Sequence, residues 1–197
     1  MDGPVVRTSP GVPDSFYARL GRRLAGTAVR FAVDTSGPAL AAALGSRPAL
    51  VKPNREELAE SAGHPIDTVA DAVRAATAMR EAGAQAVLAS LGADGAVLVD
   101  EQGVRYGESP VDRGRSAVGA GDAMLAGFLA GGATGGDALT EALAWGAAAV
   151  RLPGSRMPGP DDVDRGGVRV HTSPDFSRPL SGAAPSARTE QTDDDHR

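Results

Sequence analysis

Short apolar runs alternate with helix-patterned stretches along most of this chain, and that alternation limits the fold more than any single motif. Residues 29–33, 49–51, 86–89 and 96–99 are apolar runs of strand length. Asp14 opens a helix to about Leu24, with Phe16, Leu20 and Leu24 on one face, and 38–44 is a short helix. Asn54 opens a further helix. Ile66, Val69, Val73 and Ala76 form the stripe of another from about 66 to 82, closed by Gly83. A hairpin-like turn at 100–103 leads into weak strand character over 104–113. Helices follow at about 120–130 and 138–150, the second with Leu139, Leu143, Gly146 and Val150 as its buried stripe. The alternation predicts an α/β sheet, largely parallel, with helices on its faces. Ligands in such sheets bind beyond the carboxyl ends of the strands.

Composition narrows the class. Aromatic residues make up 4% of the 197, so the core must be built from Ala, Val and Leu. The formal charge of −5 gives no basic footprint for nucleic acid. With no cysteine, disulfides and thiolate metal sites are excluded. No leader peptide and no apolar run of bilayer length is seen, so a cytoplasmic location without a membrane partner is the expectation. Residues 1–13 are Pro-rich. From Ser173 the chain is rich in Ser, Pro, Ala and acidic residues, which predicts one domain over 1–172 and a disordered tail over 173–197.

The most telling motif is Gly119-Ala120-Gly121-Asp122, a flexible turn running into an apolar helix. Such a turn leaves backbone N–H groups unpaired at a helix N-terminus, where the helix dipole favours an anion. A carboxylate beside a bound phosphate suits a base that takes a proton from an attacking hydroxyl, which points to phosphoryl transfer. A plain helix cap is the competing reading. A dinucleotide fingerprint fits poorly, because the third glycine, Gly127, comes too late, and no Gly-Lys-Ser/Thr P-loop occurs.

Four other features stand at strand ends or helix starts. Lys52 is the only lysine among arginines, a compact point charge suited to phosphate. Asn54 and Glu57 share one helical turn and either order water around Mg²⁺ or form a capping box. Leu91-Gly92-Ala93-Asp94-Gly95 links two strands, where glycines serve a close ligand or a tight turn equally. Asp34-Thr35-Ser36-Gly37 would bind sugar hydroxyls or phosphate, or be a turn in which Asp34 caps the next helix. His64, His171 and His196 share no metal-ligand spacing, and Trp145 reads as packing.

Taken together with Pro10-Gly11-Val12-Pro13 and Ser90 at the head of its loop, these motifs resemble the PfkB (ribokinase-like) carbohydrate kinases, over about residues 8–170. Within that family the pattern is most similar to the branch of bacterial 1-phosphofructokinases and tagatose-6-phosphate kinases. The resemblance implies a ribokinase-like, Rossmann-like sheet that lacks the N-terminal strands and β lid of the family. It implies ATP and Mg²⁺ as cofactors, with Asp122 as catalytic base and Gly119, Ala120 and Gly121 as a backbone anion hole. Lys52, Ser90, Gly92 and Gly95 match positions near the nucleotide phosphates. Asn54 and Glu57 match an Asn-x-x-Glu motif tied to Mg²⁺ through water, Asp34 a substrate position, and the segment from Ala147 to Pro153 the adenine side.

The implied reaction is ATP-dependent phosphorylation of a sugar phosphate, fructose 1-phosphate to fructose 1,6-bisphosphate. A kinase for another acceptor such as tagatose 6-phosphate, and a non-catalytic remnant that binds nucleotide, stay open. Four departures bear on the choice. The early sugar-binding motif is missing, a Gly-Ser pair is replaced within residues 6–11, and Ala117 stands where Thr or Ser is usual. Arg113-Gly114-Arg115 also replaces a more apolar strand. Missing strands would leave a sheet edge open to a second copy or to a complementing N-terminal segment.

Overall fold

The computed structural model of the protein describes residues 11–111 and 114–182. Residues 6–10, Arg113 and the terminal acidic run with His196 lie outside the described residues. The chain runs α1 (Phe16–Leu24), β1 (Ala32–Val33), α2 (Gly37–Leu44), β2 (Leu50–Val51), α3 (Arg55–Ala62) and α4 (Val69–Glu81). It continues with β3 (Val87–Ser90), β4 (Ala96–Asp100), β5 (Gly103–Glu108), α5 (Ala120–Ala130), α6 (Gly135–Arg151) and β6 (Arg169–His171).

The strands form one six-stranded sheet in chain order, β1-β2-β3-β4-β5-β6. The expected largely parallel sheet is corrected to a mixed one. β1, β2 and β3 pair in parallel, whereas β3 through β6 pair antiparallel. For the β3–β4 and β4–β5 pairs the cause is link length. A parallel return needs a crossover of about a dozen residues or more. β3 and β4 are joined by 91–95 alone, and β4 and β5 by the turn at Glu101 and Gln102.

Side chains alternate across the central strands, as a pleated sheet requires. Val87, Ala89, Val97 and Val99 face a core shared with Leu40, Leu58, Val69, Ala76 and Met79 of α2, α3 and α4. Leu88, Ala96 and Leu98 face the other core, against Phe128 of α5 and Leu139 and Leu143 of α6. Both faces of β3 and β4 are therefore covered, which is why they read as continuous apolar runs. Phe128 is the one aromatic among the largest fully buried side chains.

Two helices start with reciprocal caps. Asn54 Oδ1 accepts from the Glu57 N–H and a Glu57 carboxylate oxygen accepts from the Asn54 N–H. Thr68 and Asp71 repeat this at α4. Such boxes satisfy donors that a helix start would leave orphaned.

Two features mark the chain ends. The apolar face of α1 is not buried: Phe16 is 46% and Leu20 38% exposed, while Ala18 and Gly21 pack inward. Gly21 permits that approach, since a Cβ there would stand 2.6 Å from the Phe31 ring. The inward side of α1 thus packs beside Phe31, just before β1, the edge strand of the sheet. At the other end, residues 173–182 run along the surface and are tied to α4 through the backbone. The Val69 and Ala70 N–H groups donate to the Arg178 and Phe176 carbonyls, and Leu180 is 2% exposed in the core. Backbone carbonyls, one leucine and a few polar side chains hold a segment whose composition reads as tail.

Candidate functional site

The parallel strands deliver the polar residues. Asp34 follows β1, Lys52 follows β2, and Asn54 bridges to Ser90 at the end of β3. The Ser90 N–H donates to the Pro53 carbonyl at 3.0 Å, fixing those two strand ends together. Above them opens a cavity of about 700 Å³. Lys52, Asn54, Ser90, Gly92, Gly95, Ala120 and Gly121 all line it, so seven of the residues singled out from sequence meet in one place.

The glycine turn supplies the opposite wall. Gly119 is the N-cap of α5 in the left-handed region, φ 78°, and no side chain caps the helix. The Ala120 N–H donates to the Ala117 carbonyl, while the Gly121 and Asp122 amides fall in the first turn, before the intrahelical ladder begins. Lys52 is 6% exposed and its Nζ stands 3.0 Å from Asp34 Oδ2. The same Nζ lies 3.2 Å from where a Cβ on Gly121 would be. The lack of a side chain at Gly121 is what lets a cation sit against the helix start. A cation and dipole-oriented N–H groups converging on one space form an anion cradle.

The remaining sites are placed differently. Asp122, exposed in the first turn of α5, stands next to the lining residues without being one of them. Gly119 packs near Met157. Glu57 is outside the lining, and one of its carboxylate oxygens is engaged in the α3 cap. Burial pushes its carboxyl above the ordinary range. The Asn54 N–H opposes this, Asp34 adds to it, Lys52 opposes it and Glu60 adds to it. Asp34 does not cap α2, whose N-cap is Ser36 with no side-chain cap bond; its carboxylate faces Lys52 instead. Among the described residues no cluster of three or more His, Cys, Asp or Glu could cage a metal ion. His171 lies on β6 rather than in a loop, with Nε2 3.7 Å from a Glu108 oxygen.

The far end of the cavity is apolar, formed by Met124, Leu143, Gly146, Ala147 and Val150. Ala147 and Val150 belong to the expected adenine side. Leu143, Gly146 and Val150 were read as buried stripe, and helical periodicity cannot tell a wall facing a cavity from one facing another helix. Arg55, Glu56 and Ser109 were missed. Arg55 and Glu56 lie between Asn54 and Glu57, the one local signal for them. Ser109 Oγ is buried without a hydrogen-bond partner, and nothing in its sequence context marks it.

An α/β sheet with a cation and an uncapped helix start at its strand ends defines a phosphate-binding class. The comparisons with known proteins sharpen this. Residues 7–159 match the pfkB family carbohydrate kinase model, and the chain belongs to that family. It is 35% identical over 135 residues to the 1-phosphofructokinase of Bacillus subtilis, covering 66% of this chain and 45% of that one. It is 41% identical over 157 residues to the 1-phosphofructokinase of Haloferax volcanii, covering 78% and 50%. Its fold is similar to phosphofructokinase-2 from Escherichia coli in complex with substrates and products, at a TM-score of 0.70 and 34% identity, covering 78% and 51%. The chain thus spans about half the length of the curated relatives it matches. Among the described residues no helix is long and apolar enough to cross a membrane.

Proposed function

We propose that residues 1–172 carry the nucleotide half of an ATP-dependent kinase for a sugar phosphate, with fructose 1-phosphate the acceptor and fructose 1,6-bisphosphate the product. The observation that carries this reading is the Lys52 ammonium seated against Gly121 at an uncapped helix start. The cavity fits a nucleotide: its polar end offers Lys52, Ser90 and the start of α5 at Ala120 and Gly121, where the Gly121 amide precedes the intrahelical ladder, and its apolar end the α5 and α6 surface. Gly119, Ala120 and Gly121 hold the terminal phosphoryl and stabilise the charge that develops on it. Asp122 takes the proton of the acceptor hydroxyl as its oxygen bonds to phosphorus and the bond to the ADP oxygen breaks. Asn54 and Glu57 fit Mg²⁺ in the manner of phosphate sites, through water and one carboxylate. When bound, that ion draws charge from the phosphate oxygens. The Glu57 oxygen outside the cap is the one free to face it.

A second reading is a non-catalytic nucleotide binder. It is favoured by the exposed Phe16 and Leu20 of α1 and by the open β1 edge, surfaces suited to a second copy or to a complementing N-terminal segment. A coupled assay with fructose 1-phosphate, run beside ATP calorimetry, separates them. Turnover abolished by Asp122→Asn supports the kinase, binding without turnover supports the binder, and turnover with tagatose 6-phosphate alone reassigns the acceptor. Absence of ATP binding defeats both.

A further inference from the structure

We propose that Ser181, in a C-terminal strap outside the residues matched by the kinase family, is a positioning residue for the cavity: it fixes Asp94 and Arg55 and through them the wall formed by 91–95. The proposal rests on the nucleotide reading above.

All three polar groups of Ser181 that can act on neighbours do so at the cavity. Its N–H donates to Asp94 Oδ2 and its hydroxyl to Asp94 Oδ1, both at 2.8 Å. Its carbonyl accepts from Arg55 Nη1 at 2.6 Å. Asp94 is only 9% exposed, and it sits between Ala93 and Gly95, which line the cavity. Arg55 itself lines the cavity, and its Nε donates to the Ile66 carbonyl at 2.8 Å. A carboxylate this buried must be supplied with donors, and Ser181 supplies one to each oxygen.

The loop is otherwise held from its inner side. The Tyr106 hydroxyl donates to the Asp94 carbonyl at 2.6 Å. Gly95 takes φ 93° with its backbone pressed on Gly107 and Glu108. Ser181 is the tie on the outer side. The strap does not depend on that tie for its own place. Leu180 is in the core and its N–H donates to the Asp67 carbonyl at 2.8 Å, and Arg178 pairs with Glu108 at 2.9 Å over the Tyr106 ring. Removing the Ser181 hydroxyl therefore loosens the loop without releasing the strap.

The test uses the full chain, with ATP calorimetry and amide hydrogen exchange over 91–95. Ser181→Ala is expected to weaken ATP binding on the order of 3- to 10-fold, a fraction of what one hydrogen bond to a buried carboxylate contributes, because Ser181 acts on the ligand only through the loop. Exchange at Leu91, Asp94 and Gly95 should quicken. Ser181→Thr, which keeps the hydroxyl, should restore both. Asp94→Asn should weaken binding, and the double variant should add little to it. Val73→Ala on α4, which lowers stability away from the cavity, should leave ATP affinity unchanged. Parental exchange over 91–95 in Ser181→Ala overturns the proposal, whatever the affinity. So does ATP affinity that falls equally in Val73→Ala. Should the parent bind no ATP, the nucleotide reading fails, and the exchange rates alone decide whether Ser181 holds the loop.

Discussion

Two helices of this chain begin in opposite ways. At α4 all four opening donors are engaged. The Thr68 N–H goes to Asp71, those of Val69 and Ala70 to strap carbonyls, and that of Asp71 to the Thr68 hydroxyl. At α5 a glycine in the left-handed region replaces the capping side chain, and a buried ammonium waits beside the first turn. Both ends carry the same positive dipole. One spends it on its own chain, so it is architecture. The other leaves it facing a cavity, so it is a site. The start of α3 lies between these cases, closed by Asn54 and Glu57 and yet standing at the cavity with Asn54 in its lining.

That contrast can be broken most forcefully at the two aspartates in equivalent first turns. Asp122→Asn should lower phosphoryl transfer by about 10²- to 10⁴-fold in the coupled assay with little change in melting temperature. Asp71→Asn should do the reverse. Lys52→Met should weaken ATP binding by roughly 10- to 100-fold in calorimetry, the range for hydrogen bonds to charged groups. Equal affinity would remove the cation from the site.

Thr68→Ala should cost about 1 kcal/mol in urea unfolding and leave ATP affinity alone. The pH dependence sharpens this. Burial acts to raise the Asp71 carboxyl, but the Thr68 hydroxyl, the Thr68 and Asp67 amides and Arg74 outweigh it, and the net shift is downward. Its contribution to stability is thus fully present above the ordinary value of 3.8 and lost as pH falls through the lower folded value. Asp71→Asn should flatten that acid limb. The smallest effect is expected at Gly121→Ala. It should stabilise α5 by up to about 1 kcal/mol on propensity and yet bind ATP a few-fold less well, since the new Cβ displaces Lys52 Nζ. A variant gaining both stability and affinity would show that the approach of Lys52 to Gly121 is incidental.

Much of this was legible in the sequence, and the misses have physical reasons. Asn54 as a cap announced α3, the stripe of Ile66, Val69, Val73 and Ala76 announced α4, and the apolar runs announced β3 and β4. Strand direction was misjudged although the brevity of 91–95 and 101–102 already demanded antiparallel returns. The α1 stripe was read correctly as a pattern, but a pattern states only that a face is apolar, not that this chain covers it. β6 escaped because Arg169, Val170 and His171 make no apolar run. The strap escaped because backbone carbonyls, which every residue carries, do much of its holding. In the site, the glycine turn and Lys52 stood out by type and spacing. Ser109, Arg55 and Glu56 did not, because their placement depends on which strand ends the fold brings together.

The most direct measurement is an amide chemical-shift titration of the ¹⁵N-labelled full chain with ATP and with ADP. The account predicts that the amides of Gly119, Gly121 and Asp122 move most, and move further with ATP than with ADP, while those of Thr68, Val69 and Asp71 stay still. Shifts confined to other surfaces, or equal shifts at both helix starts, would contradict it.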